Sequence, residues 1–332
     1  MSLTCRLLTE KEYKNISEKD LYLPIEQTYE WGQFQDGMKD RHFLGIYGIF
    51  EGKQCRAIAN CVYIEMRGYN YIWAKQGPYI FEEHLNKEKQ IIHILKKTLQ
   101  MEIKQYPKPL FLRVHTKEKT GVPAFTNYIR HTLQIDLSLS ENSILTQMKQ
   151  KGRYNIRIAE KKGVQIEKYT YGDTEFDEAL DAFYTLLEDT TKRDKFSHHP
   201  KKYYEEMLKT LKKYAILYMA KYQNEYIAGI IVTIYGRIAI YYYGASKDTY
   251  RNVMAPYLLQ WTAIQDSKAK GASVYDFLGI SEVEGDSLTG VTEFKRKFGG
   301  REVSYLKVYD VIWNPFQYYI IRLLKKIKTF IQ

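Results

Sequence analysis

The sequence predicts an α+β protein assembled from two related halves, and three observations carry that prediction. A pattern of three short apolar runs followed by a helical stretch occurs twice, about 170 residues apart. The runs are rich in β-branched and aromatic residues and are bounded by Gly and Asn, as strands are. Ile91, Ile92, Leu95 and Leu99 recur at the 3.6-residue spacing of a helix buried along one stripe.

In the first half, Leu44 to Phe50 reads as a strand, Glu51-Gly52-Lys53 as a turn, and Ala57 to Glu65 as the next strand. Arg67-Gly68 turns the chain into a third strand, Tyr69 to Ala74, and a helix follows from about Leu85 to Gln105. In the second half, Ala215 to Lys221, Ile227 to Tyr235 and Ile238 to Tyr243 are the strands, and Ala255 to Lys270 is the helix. Each half then supplies one more strand, Leu110 to Val114 and Val274 to Phe277. Between the repeats, Ser140 to Lys162 is helical and dense in Lys and Arg. An acidic helix, Thr174 to Thr191, and a Lys- and His-rich loop, Lys192 to Pro200, come next. A meander, a helix and a further strand, repeated, suggest duplicated domains.

The chain has 332 residues, enough for two ordinary domains, and carries 50 Lys and Arg against 39 Asp and Glu. An excess of +11 favours polyanionic partners such as nucleic acid, an anionic membrane face or a phosphorylated substrate. Cys5, Cys55 and Cys61 fit no metal-ligand spacing, so neither a zinc site nor a disulfide framework is expected. The N-terminus turns polar and acidic within ten residues, unlike a signal peptide, and no run of 18 apolar residues exists. A cytoplasmic location is expected. In the segment 315–332, Phe316, Tyr319, Ile320, Leu323, Leu324, Ile327 and Ile331 fall near one helical face beside Lys325, Lys326 and Lys328. Such a helix rests on an anionic membrane surface or packs onto the protein's own core.

A meander followed by a helix is the unit used by acetyltransferases of the GNAT type, which cradle a CoA pyrophosphate on glycine-rich backbone at a helix start. Here the link Ser246 to Pro256 contains no glycine, and the equivalent link, Lys75-Gln76-Gly77-Pro78, has one followed by proline. The pattern favours the fold and disfavours the cofactor. Strand alternation places Tyr241 and Tyr243 on one face with Tyr242 opposite. In Phe294-Lys295, the ring suits stacking on a base and the ammonium suits a phosphate or ester oxygen.

An ordered set of short motifs spans most of the chain. It comprises Glu30-Trp31-Gly32, Lys75-Gln76-Gly77-Pro78, the series Lys151, Arg153, Ile156, Ala159, Lys162, Gly163 and Val164, Tyr243-Gly244-Ala245-Ser246, Ala255-Pro256, Tyr275-Asp276-Phe277 with Gly279-Ile280, and Phe294-Lys295 with Phe298-Gly299-Gly300. In this set the sequence resembles the Fem family (FemABX) of peptidoglycan-bridge aminoacyl transferases, in its compact FemX-like form. The resemblance implies two tandem GNAT-like domains without a coiled-coil arm, residues 1–139 completed by 304–332, and residues 140–303. It implies transfer from aminoacyl-tRNA, a co-substrate, to the stem-peptide amino group of a peptidoglycan precursor, lipid II or UDP-MurNAc-pentapeptide, with no cofactor or metal. A monomer is expected, and the basic amphipathic pattern of 315–332 allows peripheral contact at the inner membrane face.

By the same resemblance, Tyr203 and Tyr243 lie along the peptidyl substrate, Phe294 and Lys295 meet the tRNA acceptor end, and Arg153 and Arg157 sit on a basic RNA-binding helix. Three positions depart from the family pattern: Gln35 replaces a lysine that contacts the precursor phosphate, His199 an arginine, and His115 an acid. Gln35 and His199 are still expected at the precursor site. Aminolysis of an ester requires positioning and oxyanion stabilisation rather than a nucleophilic side chain, and Lys295 is the candidate source of that charge. The alternatives left open are a CoA-dependent N-acyltransferase and a non-enzymatic RNA- or membrane-binding protein.

Overall fold

The computed structural model describes residues 2–125, 130–194, 197–283, 285 and 288–331, with the side chains of Glu83 and of 328–331 outside the description. Lys195 and Phe196, in the expected Lys- and His-rich loop, lie outside the described residues, as do the side chains of Lys328 and Ile331. The chain divides into two compact units, residues 1–128 with 306–332, and residues 129–305.

The first unit holds strands β1 (Leu3–Leu7), β2 (Arg41–Glu51), β3 (Gln54–Met66), β4 (Tyr69–Trp73), β5 (Tyr79–Ile80), β6 (Phe111–Thr116) and β7 (Val122–Pro123). The second holds β8 (His131–Asp136), β9 (Gln165–Tyr169), β10 (Ala215–Tyr222), β11 (Glu225–Tyr235), β12 (Ile238–Ser246), β13 (Val274–Asp276) and β14 (Arg301–Ser304). One more strand, β15 (Lys307–Ile312), returns to the first unit. The helices are α1 (Glu10–Ser17), α2 (Tyr29–Asp36), α3 (Glu88–Glu102), α4 (Glu141–Gln147), α5 (Gln150–Lys161), α6 (Phe176–Asp194), α7 (Lys201–Leu211), α8 (Ala255–Ala269), α9 (Thr289–Arg296) and α10 (Pro315–Ile331).

The duplication is visible in the strand orders. The first sheet runs β1-β2-β3-β4-β6-β15-β7 and the second β9-β10-β11-β12-β13-β8-β14. In each, the meander is antiparallel and its last strand pairs in parallel with the strand after the helix, β4 with β6 and β12 with β13. The α3 stripe of Ile92, Leu95 and Leu99 packs on the first sheet against Tyr63, Ile72 and Val114. In the second unit, Leu259, Ile264 and Ala263 of α8 pack with Tyr218, Val232 and Tyr275. No long helical hairpin occurs among the described residues: α6 is followed by the short α7, and Phe183 meets Tyr204 edge-on at 6.0 Å.

Two boundaries differ from the sequence expectation. Strand β8, placed by sequence in residues 1–139, hydrogen-bonds to β13 and β14 and belongs to the second unit. The helical stretch expected over 140–162 is two helices, because Met148 and Lys149 adopt extended backbone (ψ 148° and 144°).

The return of β15 is secured by a buried ion pair. Arg113 on β6 donates from Nε to Asp310 Oδ1 at 2.7 Å and from Nη2 to Oδ2 at 2.9 Å. Tyr318 of α10 donates its hydroxyl to the same carboxylate at 2.9 Å. Arg113 is 3% and Asp310 0% exposed, so the charges satisfy one another away from water.

Candidate functional site

In the second unit, residues expected along the peptidyl substrate come together on the α7 side of the sheet. Tyr203 stacks on the His199 ring with centroids 3.8 Å apart, and Tyr243 donates its hydroxyl to Tyr203 Oη at 3.3 Å. Tyr204, which the sequence reading passed over, underlies them. Its ring meets Tyr243 edge-on at 5.0 Å, and its hydroxyl accepts the His199 backbone N–H at 3.2 Å. Burial pushes the Tyr204 phenol up to about 12. The wall has aromatic faces for apolar groups, with hydroxyl and imidazole groups for amides.

One expectation is corrected here. Tyr241 and Tyr243 do not share a face. Val232 pairs with Tyr241 and the next residue, Ile231, pairs with Tyr243, so Tyr242 is an inserted bulge residue. A bulge restores pairing one residue late and reverses the alternation. Tyr241 therefore turns away from α7 and meets the Phe277 ring edge-on at 6.2 Å. Gly244 allows this packing: a Cβ there would lie 1.9 Å from the Tyr241 hydroxyl.

Lys295 lies beneath this second face, 6% exposed. Strands β12 and β13 pair only through Ile238–Ile240 and Val274–Asp276, and from there to Ser246 β12 is paired with β11 and no longer with β13. Just past β13, Leu278 and Gly279 adopt left-handed backbone (φ 48° and 63°). Their carbonyls converge on the ammonium: Lys295 donates to Leu278 O and, at 2.6 Å, to Gly279 O. Its Nζ also lies 5.7 Å from the Tyr241 ring centroid. Burial pushes the ammonium down to about 8, opposed by the Asp276 carboxylate.

Asp276 sets this geometry, a role the motif Tyr275-Asp276-Phe277 did not reveal. It is 4% exposed and accepts hydrogen bonds from Thr132 Oγ1 (2.5 Å), Gln134 Nε2 (2.9 Å), Tyr305 Oη (2.9 Å) and the Leu278 backbone N–H (2.7 Å). Phe294 is half-buried, edge-on to Tyr257 at 5.1 Å and to Phe298 at 5.3 Å. Lys295 is thus packed into the unit, while part of the Phe294 ring stays exposed. Helix α8 opens at Met254, a left-handed residue, and Pro256 in its first turn supplies no N–H to an anion.

Arg153 and Arg157 both line a pocket with Asn142, Thr146, Glu160 and Trp261. Arg153 turns its Nη1 onto the carbonyls of Leu145 and Thr146, each at 3.3 Å, and of Met148, closing the end of α4. Arg157 is exposed.

The first unit holds Gln35 in a small polar pocket with Glu26, Trp31, Asn60, Trp73 and Lys75. Gln35 is 4% exposed and accepts a hydrogen bond from Arg41. Lys75 sits 4.6 Å from the Trp31 ring centroid and 3.8 Å from a Glu26 carboxylate oxygen. Desolvation lowers its pKa, which the Glu26 charge opposes. Lys75, from the motif Lys75-Gln76-Gly77-Pro78, thus shares this pocket with Gln35. His115 is buried nearby, and burial, then Lys75 and Arg113, push its imidazole down to about 3, which keeps it neutral.

Two such units in one chain define the tandem GNAT-like class. The same fold is seen in a tandem GNAT protein of the clavulanic acid biosynthesis pathway (TM-score 0.50, 7% identity, 93% of this chain and 98% of that one). It is also seen in crystalline FemX, with TM-score 0.79 and 16% identity over 96% of this chain and 99% of that one. The FemAB family model matches residues 114–226 and 220–326, and the chain belongs to that family. Curated relatives include proteins named lipid II:glycine glycyltransferase. That of Staphylococcus saprophyticus is 29% identical over 103 residues, 30% of this chain and 25% of the relative. That of Staphylococcus haemolyticus is 29% identical over 110 residues, 32% of this chain and 26% of the relative. The matched segments span about a quarter of these relatives' length.

Proposed function

We propose that this chain is a tRNA-dependent aminoacyl transferase that extends the stem peptide of a peptidoglycan precursor. Membership of the FemAB family, together with relatives named for glycyl transfer to lipid II, carries the reading. In the proposed reaction a neutral stem-peptide amine attacks the carbonyl carbon of an aminoacyl ester. A C–N bond forms, the C–O bond to the ribose breaks, and the amine's proton leaves with the ribose hydroxyl. Such a step needs alignment and charge stabilisation, not a side-chain nucleophile.

In this reading His199, Tyr203 and Tyr243 hold the acceptor peptide, and Gln35 with Lys75 receives an anionic part of the precursor. Phe294 and Arg157 meet the RNA acceptor end, with Arg153 holding the helix that carries Arg157. Lys295, still largely protonated at neutral pH, supplies positive field from beside the Tyr241 ring. Pro256 and the glycine-free link before α8 argue against a CoA pyrophosphate there. The test is incubation with pools of charged tRNA and either the lipid-linked or the nucleotide-linked precursor, reading the mass gained by the product. A gain of one or more aminoacyl residues supports the proposal. No gain with any pool, or saturable acetyl-CoA binding by calorimetry, refutes it.

A further inference from the structure

Helix α10 divides its two sides between the fates its sequence allows. Tyr318 is fully buried and Ile321 packs beside it against Tyr71 and Phe111. Arg322 donates to Pro123 O at 3.2 Å, and Lys325 donates to Tyr69 Oη and covers the Phe125 ring at 4.5 Å. These residues anchor the helix to the first unit. The opposite side meets nothing comparable: Phe316 is 79% exposed, Leu323 59%, Leu324 61%, Tyr319 53%, Ile327 46% and Ile320 43%. At 100° per residue these six side chains occupy one continuous arc of about 140°. A contiguous apolar face of this size on an otherwise charged chain marks an interaction surface.

Charge chooses the occupant. Residues 315–332 contain Arg322, Lys325, Lys326 and Lys328 and no Asp or Glu. Lys326 flanks the apolar arc on the Tyr319 side, and a cleft lined by Met66, Asn70, Lys108 and Gln317 opens at the first turn, adding another ammonium to the rim. No helix among the described residues is long and apolar enough to cross a membrane. A wide apolar arc on a helix whose charged residues are all basic suits a helix lying in the plane of an anionic bilayer, with apolar side chains among the acyl chains and lysines at the phosphates. We propose that α10 is a membrane-docking helix that seats the first unit on an anionic lipid surface. This goes beyond the proposed transfer reaction, and its test uses neither tRNA nor precursor.

The experiment is flotation of the full chain with vesicles of phosphatidylcholine alone or mixed with phosphatidylglycerol. The wild-type chain binds the mixed vesicles, and binding weakens in high salt. Leu323→Ser with Leu324→Ser removes two inserted side chains and lowers the partition coefficient at least about tenfold. Circular dichroism and the thermal midpoint stay unchanged, since both leucines are exposed. Failure of the wild type to float with anionic vesicles overturns the proposal, as does equal flotation of the double variant. A concentration-dependent dimer in ultracentrifugation, abolished by the same substitutions and accompanied by no flotation, assigns the face to a second copy and also overturns it.

Discussion

Asp310→Ala tests whether the return of β15 depends on the Arg113–Asp310 pair. The substitution removes a fully buried carboxylate that accepts two hydrogen bonds from Arg113 and one from Tyr318. It leaves a guanidinium, 3% exposed, without its counter-ion. Breaking a buried pair from one side costs about 3–5 kcal/mol. The rings of Phe111 and Tyr71, 4.8 and 5.0 Å from the Arg113 Cζ, hold the estimate near its lower end. For a unit of this size the loss lowers the melting midpoint by about 10 °C. Replacing both partners, Arg113→Met with Asp310→Leu, recovers most of the loss, because no uncompensated charge remains. Urea denaturation of the three variants gives the energies, and amide exchange along β15 localises them. A loss below about 1 kcal/mol for Asp310→Ala, or a double variant as unstable as the single one, refutes the reasoning.

Lys295→Met lowers the turnover number of the proposed transfer by about 10²–10³-fold with the fold retained, if the buried charge stabilises the transition state; unchanged turnover removes Lys295 from the mechanism. Its ammonium is pushed below the ordinary 10.5 to about 8. Between those values the folded chain binds fewer protons than the unfolded one, so this group's contribution to stability rises with pH across that window. The catalytic charge behaves oppositely: it is present below about pH 8 and lost above it. An alkaline fall in turnover near that pH, absent in Lys295→Arg, is the expected profile. Lys75→Met raises KM for the precursor about tenfold at nearly constant turnover, as loss of uniform binding does; a fall in turnover alone would place Lys75 elsewhere in the reaction.

The strands and helices of the repeats were legible in sequence because their burial is periodic. The α3 stripe and the three strands of each meander fall where apolar spacing and turn residues put them. Pairing that depends on distant segments was less legible. His131–Asp136 gives no local sign that its partners lie near residues 274 and 301. The tyrosine run 241–243 misled strict alternation because one inserted residue reverses it, and nothing in three consecutive tyrosines marks which is inserted. Lys295 was legible as a candidate but not as a buried one. Its burial is arranged by the left-handed turn at Leu278-Gly279 and by Asp276, whose partners Thr132 and Tyr305 are remote in sequence.

The Arg113–Asp310 contact joins residues 197 positions apart, so synthesis order matters. When β6 leaves the ribosome, the neighbour that completes its sheet has yet to be translated, and residues 129–305 are made in the interval. The nascent first unit therefore waits with an open strand edge and an arginine lacking its carboxylate, both hazards for off-pathway association. A ribosome stalled before residue 307 should display a first unit far more open to protease than the released chain.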